Sequence, residues 1–175
     1  MPSLHDEISD ALQRGVSVRN TYFEGEPVSQ LHHAATEADL QALEKTIGTK
    51  LSPTYREFFL ISNGWDYVSA TISLLSCAEI AEGNRKGQFD GWLSSFWDDD
   101  LGPRENALVF GRSSMTNGAY IIVLHDAIRR TSIPDEPESE FPLVYVDEST
   151  DFTYLNFLEF LRATENDYSE LVQGK

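Results

Sequence analysis

Basic residues are scarce in this sequence. Its 175 residues include 13 Lys and Arg against 29 Asp and Glu, which gives a formal net charge of −16 at pH 7. A surface of that sign repels phosphate backbones and anionic lipid headgroups, because binding them requires Lys and Arg to displace counterions. The charge therefore predicts no nucleic-acid and no membrane partner, and it favours attraction of a basic protein or a cationic ligand. Acidity that serves only solubility explains the charge equally well.

Cysteine and long apolar runs are also nearly missing. Cys77 is the only cysteine, so no internal disulfide can form, which is typical of proteins in a reducing compartment. No apolar run reaches membrane-spanning length. The first residues, MPSLHDEISDALQRG, carry three acids where a secretory signal peptide has a basic start and an apolar centre. We therefore expect a cytoplasmic protein.

Common catalytic and cofactor motifs are absent. The sequence contains neither G-x-G-x-x-G nor G-x-x-x-x-G-K-[ST], no H-E-x-x-H and no G-x-S-x-G. His32 and His33 are adjacent, so their side chains diverge on any regular element and do not suit a shared metal ion. We expect no metal and no cofactor. Cys77 paired with His125 is a possible thiol catalyst, and a buried structural cysteine is the alternative.

The chain does contain enough apolar residues for a folded domain. Hydrophobic residues make up 41% and aromatic residues 11%, and 175 residues suit one domain spanning 1–175. The spacing of apolar residues predicts a short helix over 4–12 that Gly15 ends. Thr36 is placed to cap a second helix, and Gly48 to close it in the left-handed conformation.

The stretch LSPTYREFFLISNGW, residues 51–65, predicts a third, short helix. Ser52 is placed to cap it and Pro53 occupies its first position, where the missing N–H has no cost. Leu51, Tyr55, Phe58, Phe59 and Ser62 fall on one side, which predicts a heavily apolar buried face. Asn63-Gly64 tolerates positive φ and allows the chain to reverse at once.

Downstream of this helix the period changes to that of strands. Four β-rich runs bounded by Gly, Pro or Asn lie at 70–75, 107–111, 119–125 and 142–147. Asn117-Gly118 favours a hairpin between the second and third runs. A final helix is predicted over about 151–164. The resulting order predicts an α+β fold in which helices pack against a central, mostly antiparallel sheet.

Two irregular segments, 83–106 and 131–140, carry the candidate binding residues. The first mixes Trp and Phe with Asp, a composition typical of protein interfaces, and the second is rich in Pro and acids. Asp98–Asp100 lack the alternating spacing of a calcium loop, so an exposed acidic turn is the simpler interpretation. The aromatic residues have an alternative role, which is to cover the core. The candidate partner-binding residues are Asp90, Trp92, Phe96, Trp97, Asp98, Asp99, Asp100, Asp135, Glu136 and Glu138.

A known family shares one stretch of this sequence. The run DLQALEKTIGTKLSPTYREFFLISNGW, residues 39–65, resembles the SUKH superfamily, the domain of the yeast cell-wall-assembly regulator and of many bacterial immunity proteins. The resemblance is close over 36–66: an acidic amphipathic helix ending in Gly, a Leu-Pro step, a short helix with Tyr and Phe, and Asn-Gly. It departs where Ser52 separates Leu51 from Pro53. In this motif Tyr55, Phe58 and Asn63 serve the fold, and no binding role is assigned to them.

The resemblance implies a non-enzymatic binding module. Bacterial members resemble immunity proteins that neutralise a secreted toxin, such as a nuclease, by direct binding. The leading hypothesis is therefore an immunity protein that binds a cognate, basic toxin through its acidic and aromatic loops. The first alternative is an intracellular regulatory scaffold that binds an endogenous protein. The second is a hydrolase that uses His125 or Cys77.

Overall fold

The computed structural model describes residues 1–124 and 140–175, with side chains outside 149–151. Asp135, Glu136, Glu138 and His125 lie outside the described residues, as does nearly all of the predicted loop 131–140. The helices are α1 (Leu4–Tyr22), α2 (Glu37–Ile47), α3 (Pro53–Ile61), α4 (Cys77–Lys86), α5 (Asp90–Phe96) and α6 (Phe157–Gln173). The strands are β1 (Gln30–Leu31), β2 (Trp65–Asp66), β3 (Ile72–Leu74), β4 (Ala107–Ser113), β5 (Ala119–Val123), β6 (Leu143–Asp147) and β7 (Ser149–Tyr154).

The strands form one open antiparallel sheet in which each pairs with its neighbour in sequence. The predicted hairpin is confirmed, since β4 pairs with β5 in antiparallel register from Ala107↔Val123 to Arg112↔Ala119. Every residue of β5 is buried, which is the pattern of a strand covered on both faces. The α+β class with helices on a mostly antiparallel sheet is therefore confirmed.

The first face of the sheet carries the larger core. The predicted apolar side of α3 is confirmed, since Tyr55, Phe58 and Phe59 are fully buried. Phe58 packs with its ring centroid 5.7 Å from that of Phe110 on β4 and 4.7 Å from that of Phe157 on α6. This aromatic cluster joins α3, the sheet and α6, and contacts between aromatic rings stabilise the fold beyond the burial of apolar area alone.

The caps of α2 follow the sequence prediction, whereas that of α3 does not. Thr36 and Asp39 form a reciprocal capping box, and Gly48 takes φ 75° at the C-terminus. Pro53 stands at the start of α3 as predicted. Ser52, however, makes no side-chain cap; its hydroxyl instead accepts a hydrogen bond from the backbone nitrogen of Phe141 at 3.3 Å.

Both predicted terminal helices have wrong bounds. α1 continues through Gly15 to Tyr22, because Gly15 lies against the Trp65 ring and a Cβ there would come within 3.0 Å of it. Gly15 is thus a position of close packing inside the helix. Residues 151–154, placed in the final helix by the sequence, belong instead to β7, and α6 begins at Phe157 after the cap residue Asn156.

The segment 83–106 is largely helical, which also corrects the prediction of an irregular loop. It contains the end of α4, all of α5 and two 3-10 helices, Asp99–Leu101 and Arg104–Asn106. Its apolar residues cover the second face of the sheet. There Trp92, Leu93 and Leu101 form a second core with residues of β4, β5 and β6.

Candidate protein-binding surface

The aromatic residues of the segment 83–106 are used mainly in packing. Trp92 is 9% exposed, and its indole nitrogen donates to the carbonyl oxygen of Asn117 at 2.8 Å. Trp97 is half-buried and donates to the carbonyl of Gly102 at 3.0 Å. Phe96 lies with its ring centroid 5.4 Å from that of Trp92. These contacts match the alternative interpretation, in which the aromatic residues cover the core, and their role in binding stays a prediction.

A cation lies beneath this aromatic cover. The guanidinium carbon of Arg112 on β4 is 5.6 Å from the Phe89 ring centroid and 5.7 Å from that of Trp92, distances at which cation–π attraction operates. Its Nε atom is buried and has no hydrogen-bond partner among the described residues. Gly83 leaves room for the Phe89 ring, since a Cβ would lie 2.9 Å from the ring carbon Cζ. The segment is therefore held firmly on the sheet.

The acids of the segment are placed at its surface. Asp90, Asp99 and Asp100 are exposed, whereas Asp98 is half-buried and its carboxylate accepts from the backbone nitrogen of Asp100 at 3.0 Å. Further along, the carbonyl of Asn106 accepts from the backbone nitrogen of Leu124, at the end of β5, at 2.9 Å. This bond places the end of the segment 83–106 beside the end of β5.

Cys77 does not have the properties of a nucleophile. Its side chain is 2% exposed, and burial, reinforced by the negative charge of Asp39, raises the pKa of the thiol to about 12. A thiol with such a pKa carries almost no thiolate at neutral pH. Its backbone nitrogen donates to the side-chain oxygen of Asn63 at 2.8 Å, which fixes the start of α4. Cys77 is therefore a structural residue.

Within the described residues, no group of three His, Cys, Asp or Glu side chains is arranged to hold a metal ion. His32 instead bonds locally, with Nε2 3.0 Å from the Asp66 carboxylate and Nδ1 3.1 Å from the carbonyl oxygen of Asn63. Of the helices in the described part of the chain, none is long and apolar enough to span a membrane.

The family model of the SMI1/KNR4 family (SUKH-1) matches residues 34–163, which is more than half of the chain. The chain belongs to this family. The resemblance found in residues 36–66 is thereby confirmed and extended through the sheet into α6. No curated protein matches the chain significantly. SUKH-1 includes immunity proteins, and its members are generally non-catalytic immunity or regulatory domains.

The SUKH-1 stretch contains a buried charge that sequence reasoning missed. The side chain of Glu44, on α2, is only 5% exposed. Its carboxylate accepts hydrogen bonds from Arg56 at 3.0 Å, from the backbone nitrogen of Leu51 at 3.1 Å and from Lys50 at 3.0 Å. Burial opposes its ionisation, but these hydrogen bonds hold the pKa of Glu44 below its usual range. The pattern of residue types gave no signal, because Glu at this position also fits an exposed helix face.

A second buried charge lies N-terminal to the family match. Arg19 on α1 is 1% exposed and donates to the carbonyls of Val68 and Gly15 and to the hydroxyl of Thr164. Its guanidinium carbon is 4.6 Å from the ring centroids of both Trp65 and Tyr168. The helical spacing of Ile8, Leu12, Gly15 and Arg19 was a usable signal, because it continues the buried stripe past Gly15.

Proposed function

We propose that this SUKH-1 protein is a bacterial immunity protein that binds a cognate secreted toxin and neutralises it. The observation that carries the proposal is family membership over residues 34–163, in a family that includes immunity proteins. Direct binding occludes the toxin, so the mechanism needs complementary surfaces and no reactive group in this chain. The buried Cys77 thiol, with its raised pKa, agrees with such a mechanism.

The charge of the chain favours a basic toxin, such as a nuclease. A net charge of −16 attracts a positively charged protein over several ångströms and raises the association rate by about 10- to 1,000-fold. The acids that we assign to this role are Asp90, Asp98, Asp99 and Asp100 of the described segment, together with Asp135, Glu136 and Glu138. Such acids increase the rate of encounter more than they slow dissociation.

The test is co-expression with the toxin candidate encoded by the neighbouring gene. Growth in the presence of that toxin should be restored by this protein, and the purified pair should form a complex. Replacing Asp98, Asp99 and Asp100 by Asn should slow association several-fold and weaken its dependence on salt. The matched control replaces three exposed acids elsewhere, Asp10→Asn, Glu26→Gln and Glu170→Gln, and removes the same total charge.

Two results would contradict the proposal. If the neighbouring toxin is neither bound nor neutralised, the immunity role is wrong. If both triple variants slow association equally, net charge alone steers the partner, and Asp98–Asp100 have no special part in the contact.

The second candidate function is an intracellular regulatory scaffold, since SUKH-1 also contains regulatory domains. It predicts an endogenous partner and no toxin gene beside this one. A growth defect that follows deletion of the gene in cells lacking every toxin candidate would favour it over the immunity role.

A further inference from the structure

Two exposed apolar side chains lie in loops at the same end of the sheet. Tyr67, in the loop between β2 and β3, is 38% exposed, and Met115, in the turn between β4 and β5, is 81% exposed. In an antiparallel sheet that follows chain order, alternate connections fall at the same end. The connection between β6 and β7 therefore lies at this end too. We call residues 67–71, 114–118 and 147–148 the sheet tip.

Hydrogen bonds join the first two loops of the sheet tip, and packing of Gly118 against Tyr145 links the second loop to β6. The backbone nitrogen of Ser114 donates to the carbonyl of Thr71 at 2.9 Å, and the hydroxyls of Ser113 and Thr71 are 3.1 Å apart. On the other side, Gly118 lies against Tyr145, since a Cβ would come within 2.6 Å of its hydroxyl, and that hydroxyl donates to Asp147 at 3.4 Å. The tip spans about four strand spacings, roughly 19 Å.

Hydrogen bonds fix the β2–β3 loop of the sheet tip to the rest of the fold. Arg19 donates from Nε to the carbonyl of Val68 at 2.5 Å and so ties the β2–β3 loop to α1. The backbone nitrogen of Tyr67 donates to the hydroxyl of Ser73 at 3.0 Å, and Tyr67 keeps a positive φ of 53°. A large residue is uncommon in that conformation. A surface fixed in this way loses little conformational entropy when it binds a partner.

The charge of the sheet tip is negative. None of its residues is Lys or Arg, and Asp147 and Glu148 carry acidic side chains. Glu148 is exposed and Asp147 is half-buried. The two apolar side chains and the acids lie along one edge of the sheet, so they suit an extended partner segment that presents aliphatic side chains to Tyr67 and Met115 and Lys or Arg to the acids.

We propose that the sheet tip is the apolar centre of the partner-binding surface and takes a basic segment of the toxin, with Tyr67 and Met115 as anchors. The proposal rests on the proposed function and names the surface involved. The sheet tip supplies exposed apolar side chains. The segment 83–106 offers few of these, because Trp92 is buried and Phe96 and Trp97 are half-buried against the second core. Long-range attraction then comes from the acids, and affinity comes from the two apolar anchors.

The first experiment measures toxin affinity by calorimetry. The double variant Tyr67→Gly/Met115→Ser should bind the purified toxin domain at least about 10-fold more weakly, as expected for the loss of anchors. Glycine adopts the positive φ at residue 67 without strain, so the fold should be retained, which circular dichroism would check. The control Val28→Ser/Leu171→Ser removes two apolar side chains elsewhere that are 55% and 48% exposed, and it should change affinity less than twofold. Equal effects of the two double variants would overturn the proposal.

The second experiment needs no toxin, and it separates this proposal from the proposed function. The 15N-labelled protein is titrated with a synthetic peptide of alternating Lys and Leu. Amide shifts should concentrate in the sheet tip and disappear in Tyr67→Gly/Met115→Ser, while a Glu-Leu peptide should produce none. If the shifts are missing, or centre on Asp98–Asp100, the sheet tip is not the anchor. If the shifts occur but no toxin binds, the tip is supported and the immunity role alone is wrong.

Discussion

The carboxylate of Glu140 accepts hydrogen bonds from both the backbone nitrogen and the hydroxyl of Thr54, at 3.2 and 2.7 Å. Glu140 is 5% exposed, and Thr54 is the second residue of α3. A residue distant in sequence therefore supplies the anionic acceptor at the positive end of this helix, where Ser52 was expected to act. The hydroxyl of Thr54 also accepts from the backbone nitrogen of Phe157 at 3.4 Å, which joins the starts of α3 and α6.

Replacing Glu140 should destabilise the protein more than replacing the expected cap. Glu140→Gln removes the charge from a buried hydrogen-bonded acceptor and should lower the free energy of unfolding by about 1–3 kcal/mol. Ser52→Ala loses a single long hydrogen bond and should cost about 0.5–1 kcal/mol. Urea denaturation of both variants would measure this order. A larger effect of Ser52→Ala would show that the local cap dominates.

Arg19 should be a major contributor to stability although it has no carboxylate partner at ion-pair distance among the described residues. Arg19→Met leaves the carbonyl of Val68 and the hydroxyl of Thr164 without their donor, and we expect a loss of about 2–4 kcal/mol. Arg19→Lys keeps the charge but not the planar fork of donors, so it should not restore stability.

The control for Arg19 lies on the same helix. Arg14 is exposed and pairs with Glu165 at 2.9 Å, and Arg14→Met should cost less than about 1 kcal/mol. Thermal denaturation of the three variants would test the contrast. Recovery of wild-type stability in Arg19→Lys would mean that charge alone matters at this site.

Glu44 should make stability depend on pH on the acid side. Its pKa is held below the usual value of 4.5, so its stabilising contribution is present above that pH and is lost as the pH falls through the lower folded-state pKa. Glu44→Gln should cost about 2 kcal/mol at pH 7, because hydrogen bonds to a charged group are replaced by weaker ones. The difference in free energy of unfolding between wild type and Glu44→Gln should become smaller below pH 4.5.

Denaturation midpoints measured from pH 7 down to pH 3 would test this behaviour. Glu37→Gln is the comparison, since Glu37 is exposed and shares the partner Arg56 with Glu44. Glu37→Gln should lower the denaturation midpoint less than Glu44→Gln does at every pH. If the midpoints of wild type and Glu44→Gln differ by the same amount over the whole pH range, the ionisation of Glu44 does not contribute to stability as predicted.

Trp92 should act on the fold, whereas the neighbouring acids should act on association. Trp92→Ala opens a cavity in the second core and leaves the carbonyl of Asn117 without its donor, and a loss of about 3–5 kcal/mol is expected. Asp99→Asn alters an exposed side chain and should leave the denaturation midpoint unchanged. Stable folding of Trp92→Ala together with lost toxin binding would instead assign Trp92 to the interface.

Local sequence determined the elements whose signals lie within a few residues. Thr36 and Asp39 form their capping box, Gly48 ends α2 at positive φ, and the apolar side of α3 is buried as predicted. The β4–β5 hairpin followed from two β-rich runs on either side of Asn117-Gly118. These features are local because capping, helical periodicity and turn geometry depend on neighbouring residues.

Tertiary contacts decided the rest, because they join residues whose separation in sequence carries no local signal. Gly15 is a packing position only because Trp65 lies against it, and Glu140 caps α3 across 86 residues. Residues 83–106 became helical because they could bury Trp92, Leu93 and Leu101 on a second sheet face that exists only once the strands have paired. The sequence alone determined the acidic charge and the family motif. The tertiary structure decided which aromatic side chains are buried and which remain exposed.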